Sequence, residues 1–92
     1  PPVPVPRGAK LLEDGRYSYP GTYSDAVAHF RKTLKRLGTP FEATRRRHTA
    51  AVKYTHFRSL EKNEKWSDIN IAFYEEGVYI RFLFRGEKPW RK

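Results

Sequence analysis

The chain has 92 residues, near the small end of what folds alone as one domain. Its 19 Lys and Arg against 10 Asp and Glu leave a formal charge of +9, a field that attracts polyanions of any kind. There is no cysteine, which excludes disulfides, thiolate nucleophiles and zinc–thiolate centres.

Aromatic residues make up 15% of the chain, so rings must supply much of the core, and rings favour strands. The first six residues, Pro-Pro-Val-Pro-Val-Pro, read as an extended polyproline II arm. Such an arm is a linker or a strap laid along the domain, or else a ligand for a proline-reading groove. The chain opens without an initiator methionine, as a processed or trimmed form does. No signal peptide is visible, and no apolar run approaches the ~20 residues that a membrane span needs.

Lys10 to Tyr19 reads as a hairpin, with Leu11-Leu12 and Tyr17-Ser18-Tyr19 as strands and Asp14-Gly15 as a two-residue turn. Thr22 to Gly38 is the convincing helix, because Tyr23, Val27, Phe30, Leu34 and Leu37 recur at spacings of four and three. Thr22 is placed to cap it, Asp25 sits where the dipole favours an acid, and Gly38 followed by Pro40 ends it.

Strand-like segments follow. Phe41 to Arg47 is the first, ending in three arginines, with His48-Thr49-Ala50 as a turn. Ala51 to Arg58 alternates, with Val52 and Tyr54 on one face and Lys53 and Thr55 on the other. Ser59 to Lys65 is a charged loop. Trp66 to Tyr74 turns Ile69, Ile71 and Phe73 one way and Asp68, Asn70 and Ala72 the other. Glu75-Glu76-Gly77 connects it to Val78–Phe84, with Val78, Ile80, Phe82 and Phe84 inward and Tyr79 and Arg81 outward. The expected architecture is α+β in two layers: an N-terminal hairpin and one amphipathic helix packed on an antiparallel meander of about four strands. Residues 1–8 form the arm, 9–85 the domain and 86–92 a basic tail. The face opposite the helix is expected to carry Lys53, Thr55, Asn70, Tyr79 and Arg81.

Nothing in the sequence resembles a nucleophile elbow, and the spacings of His29, His48 and His56 match no metal motif. No glycine-rich phosphate loop is present. An enzyme would need a pocket gathering His56, Asp68 or similar groups. The expectation is therefore a non-enzymatic chain with no cofactor and no metal. Two basic clusters remain as binding candidates: Arg31, Lys32, Lys35 and Arg36 on the helix, and Arg45, Arg46 and Arg47 at the strand end. At least one of three consecutive arginines would point toward the helix side unless a bulge or a strand end lies there. The run is therefore expected to mark the strand's exit, fanning its guanidinium groups into solvent. Trp66, Tyr79 and Trp90 are candidates for stacking on bases, although no second helix and no RNP-like motif accompanies them.

Pro6-Arg7-Gly8-Ala9, followed by the helix residues Val27, Phe30, Arg31, Lys32 and Leu34, resembles small bacterial cell-envelope α+β domains of secreted or lipoprotein type. The match spans about the first forty residues and departs from the pattern at Arg31, where a tyrosine is common. It implies a non-enzymatic module, favours the envelope over the cytoplasm, and carries over no functional residue. The function expected is a binding or structural module that engages an acidic macromolecule (a protein or an envelope polymer) through its basic surface. The alternative is a nucleic-acid-binding domain using the same cations. In either case the chain could belong to an oligomer or a larger assembly.

Overall fold

A computed structural model describes residues 1–61 and 66–84. Six strands and one helix follow the chain: β1 (Lys10–Leu11), β2 (Tyr17–Tyr19), α1 (Tyr23–Arg36), β3 (Phe41–His48), β4 (Lys53–Ser59), β5 (Asp68–Tyr74) and β6 (Gly77–Leu83). All strands pair antiparallel in one open sheet ordered β1-β2-β6-β5-β4-β3. The α+β class and the meander are as expected. Six strands rather than about four share the sheet because the N-terminal hairpin does not stand apart. Its second strand joins β6, with Tyr17 opposite Ile80 and Tyr19 opposite Val78.

The helix forms where its caps and its stripe agree. Thr22 Oγ1 accepts from the Asp25 N–H at 3.0 Å, satisfying one of the orphan donors of the first turn. Asp25 lies in that turn and Lys35 and Arg36 in the last, matching the dipole at both ends. Gly38 takes a φ of +73°, the left-handed value that only glycine adopts at little cost. Tyr23, Ala26, Phe30, Thr33 and Leu34 are the buried stripe, whereas Leu37 falls at the C-cap and is 53% exposed. Phe30 sits between Phe57 of β4 and Phe82 of β6, with ring centroids at 6.4 and 6.0 Å. The helix thus crosses the centre of the sheet and closes one face with Phe57, Ile69, Ile71 and Ile80, all fully buried.

The proline arm adds to this core. Val3 is buried within it, and His29 Nε2 donates to the Pro4 carbonyl at 2.7 Å, so the arm straps along the helix.

Several local expectations need correction. The first hairpin closes on Leu12 and Arg16, whose backbone bond is 2.7 Å, leaving Glu13-Asp14-Gly15 as a three-residue loop. Gly15 at φ +91° supplies the left-handed position that such a loop requires. On β4 the two faces are the reverse of those expected. Lys53 and Thr55 lie on the helix side, in phase with Phe57, while Tyr54 and His56 face away. Burying Phe57 outweighs exposing Tyr54, and one residue of phase moves every side chain to the other face. Phe84, expected inward, follows the end of β6 and is 47% exposed.

Candidate functional site

Strand registers define the uncovered face row by row. Thr44, His56, Asn70 and Arg81 lie side by side across β3, β4, β5 and β6. The next row runs Arg47, Tyr54, Ala72, Tyr79, Ser18 and Lys10. Ala72 is the small residue of its row, so a depression opens between Tyr54 on one side and Tyr79 and Tyr74 on the other. The resulting groove, about 360 Å³, is lined by Arg16, Tyr54, Asn70, Ala72, Tyr74, Tyr79, Ile80 and Arg81.

One wall of the groove is a built assembly. Tyr74 and Tyr79 pack with ring centroids 5.0 Å apart. The Arg16 guanidinium lies over the Tyr79 ring at 4.5 Å and donates from Nη1 to the Tyr74 hydroxyl. Arg16 Nε donates to Asp14 Oδ2 at 2.7 Å, and its backbone N–H donates to Asp14 Oδ1 at 3.0 Å. These two bonds, the backbone one first, hold the Asp14 carboxyl below its usual range, while the bond to Asp14 raises Arg16 further. Arg16 is therefore a fixed cation rather than a swinging one. Gly77 makes room for this wall, since a Cβ there would come within 2.7 Å of the Tyr79 hydroxyl.

His56 and Asp68 meet on the same face. Nε2 of the histidine donates to Asp68 Oδ2 at 2.5 Å, both side chains being about nine-tenths buried. Ser67 Oγ donates to the other carboxylate oxygen at 2.6 Å. The acid thus lies between serine and histidine. A nucleophilic triad requires the histidine to lie between the other two, and this arrangement lacks it. Among the described residues, no group of three or more His, Asp or Glu could hold a metal ion, and no helix is long and apolar enough to cross a membrane.

The basic clusters named from the sequence stand on two different elements, the helix and the edge strand β3. Arg31, Lys32, Lys35 and Arg36 are exposed on α1, the Arg31 guanidinium lying 5.8 Å from the Phe57 ring of β4. Arg45, Arg46 and Arg47 are exposed on β3, an edge strand, where the register shifts between Arg45 and Arg47. The bulge resolves the steric puzzle of three consecutive arginines. Arg45 pairs with Thr55 on the helix side, whereas Arg47 pairs with Tyr54 on the open face. His48, beyond the bulge, has its pKa lowered by partial desolvation and by the nearby Arg45 and Lys53 charges.

Of the aromatic candidates, Tyr79 is part of the groove. Trp66 is instead 4% exposed and belongs to the core cluster, so it offers no ring face to a ligand. Trp90 lies outside the described residues. Sequence reading missed Tyr54, Tyr74 and Arg16. Tyr54 lies on the face of β4 away from the helix, opposite to what the strand's alternation suggests. Arg16 reaches Tyr74 across 58 positions of sequence, which only the β2–β6 pairing brings together.

A second hollow of about 470 Å³ lies near the helix N-terminus, lined by Tyr19, Thr22, Tyr23, Lys53, Phe73 and Glu76 among others. Lys53 Nζ sits 5.3 Å from the Phe73 ring and 5.9 Å from the Tyr23 ring, within cation–π range of both.

No protein-family model, curated protein or solved structure matches this chain.

Proposed function

We propose that this protein is a non-catalytic binding module that engages an acidic macromolecule through the open face of its sheet. The observation that carries this reading is the fixed guanidinium of Arg16, stacked on Tyr79 and tied to Tyr74 beside Arg81, on a sheet face that the helix leaves uncovered. Arg47 and Tyr54 extend the same surface toward the edge strand. A guanidinium already held by an aromatic face and a carboxylate loses little freedom on binding an anion, which favours specific capture over diffuse attraction. The net charge of +9 raises the rate of encounter, and the groove decides what remains bound. The helix cations supply part of that long-range field without belonging to the groove. The expected envelope setting adds no residue to this reading.

The test is fluorescence anisotropy with labelled oligonucleotide, sulfated polysaccharide and polyglutamate at low and near-physiological salt. The double variant Arg16→Ala/Arg81→Ala is expected to weaken the preferred polymer at least tenfold, and Lys32→Ala/Lys35→Ala to weaken it less than threefold. Equal losses in the two variants, or no binding by any polymer, would sink the open-face assignment.

A nucleic-acid reading is favoured over other acidic polymers by one feature, the presence of three tyrosines on the same face as the arginines.

A further inference from the structure

We infer that the groove between Tyr54 and the Tyr74–Tyr79 pair is a nucleotide subsite for single-stranded nucleic acid, with the base over Ala72 and the phosphate at Arg81 and Arg16. This rests on the open-face reading and adds the class of ligand. Tyr54 and Tyr79 stand on β4 and β6 with β5 between them, so their backbones are two strand spacings apart, ~10 Å. Ala72 sits between them and rises only a methyl group above the sheet. The groove of about 360 Å³ over it is walled by Tyr54 on one side and by the Tyr74–Tyr79 pair on the other. A second tyrosine in place of Ala72 would close it.

The polar groups are graded along the groove. Tyr54, 39% exposed, is the accessible ring at one wall. Arg16 and Arg81 lie at the other, beside the turn of the first hairpin, and Arg81 is near enough to Asp14 to lower its pKa. A ligand that satisfies both ends needs a flat ring and a fixed anion a few ångströms from it. A nucleotide has both. An acidic polypeptide chain lacks the ring, and a sulfated sugar lacks its flat π-face. The face is also open and broad, as a strand with splayed bases requires, whereas a duplex keeps its rings stacked inside. Stacking on a tyrosine tolerates every base, so weak sequence preference is expected.

The experiment compares a ten-nucleotide oligothymidylate with an abasic strand carrying the same number of phosphates, by anisotropy, for the full chain. Wild type is expected to bind the base-bearing strand roughly tenfold more tightly, the scale of one stacked base. Tyr54→Ala removes an exposed ring and should abolish that difference while leaving abasic-strand affinity within twofold. Tyr54→Phe keeps the π-face and should preserve the difference. If the two strands bind alike in wild type, or if the difference survives Tyr54→Ala, the subsite is overturned while the open-face reading stands. If neither strand binds and sulfated polysaccharide does, nucleic acid is the wrong ligand class. If no polyanion binds at low salt, both readings fall together.

Discussion

The two faces of this sheet are built from the same strands and the same alternation, yet they do different work. On the covered face, Phe57, Ile69, Ile71, Ile80 and Phe82 meet the helix stripe and hold the fold through buried area. On the open face, the buried groups include a histidine and a carboxylate, and around them stand three tyrosines and several arginines. Apolar burial is concentrated on one side, and rings, charges and polar groups on the other. A two-layer α+β domain allows this because one helix covers only one face. The division is sharp enough to be broken deliberately. Phe30→Ala removes the ring that spans Phe57 and Phe82 and should cost about 4 kcal/mol through lost burial and a residual cavity. Urea unfolding reads this directly. Oligonucleotide affinity of the fraction that stays folded should be unchanged, because Phe30 touches nothing on the open face.

That division was only partly legible beforehand. The helix was legible in its ends and the centre of its stripe, local signals that the structure reproduces at Thr22, Phe30 and Gly38, while Leu37 leaves the stripe and Ala26 and Thr33 join it. The open face could be read on β5 and β6, where Asn70, Tyr79 and Arg81 lie as expected, but not on β4. Val52 and Tyr54 compete with Lys53, Thr55 and Phe57 for the core side of β4, and nothing local says that a lysine can lie on the apolar side. It does so with its ammonium 5.3 Å from the Phe73 ring and 5.9 Å from the Tyr23 ring. The groove depends on that phase and on the β2–β6 pairing, which brings Arg16 to Tyr74. Both are consequences of global register. The triple arginine, expected at the strand's exit, lies instead inside β3, where a bulge between Arg45 and Arg47 accommodates it.

The next effect in size tests whether the open face is purely a recognition surface. Asp68→Ala leaves the buried His56 donor without its acceptor and should cost about 2 kcal/mol, as an unsatisfied buried donor does. A loss below about 0.5 kcal/mol by urea titration would mean that water replaces the carboxylate readily, and that this pair is not structural.

Tyr23 offers a smaller perturbation with a pH signature on the covered side. Its hydroxyl is hydrogen-bonded to Thr55 Oγ1, and burial raises its pKa above the ordinary 10.0. A raised folded-state pKa means that the native state holds the proton more tightly than the unfolded chain. The associated stability is thus complete below about pH 10 and is lost as pH rises through the folded value. Tyr23→Phe should cost about 1 kcal/mol at neutral pH. It should also flatten the alkaline decline in the urea midpoint measured between pH 9 and pH 11. A decline of wild-type steepness in the variant would assign that pH dependence to other groups.

The smallest expected change is a gain, and it lies where the two faces meet at the end of β5 and β6. Tyr74 pairs with Gly77, so Glu75 and Glu76 alone make the turn, with φ of 50° and 62°. A two-residue turn with both residues left-handed suits Asn-Gly, and a side chain with Cβ pays ~1–2 kcal/mol to enter that region. Glu75→Asn/Glu76→Gly relieves most of that strain and gives back part of it through the freer unfolded chain, for a net gain of about 1 kcal/mol. The same change removes two acids next to Tyr74, so anion affinity at low salt should rise, by less than threefold, and the rise should vanish at high salt. A loss of stability would mean that the glutamates make compensating contacts that glycine and asparagine cannot replace. A gain in stability with unchanged affinity would place the turn outside the reach of the bound anion and confine the recognition surface to the groove itself.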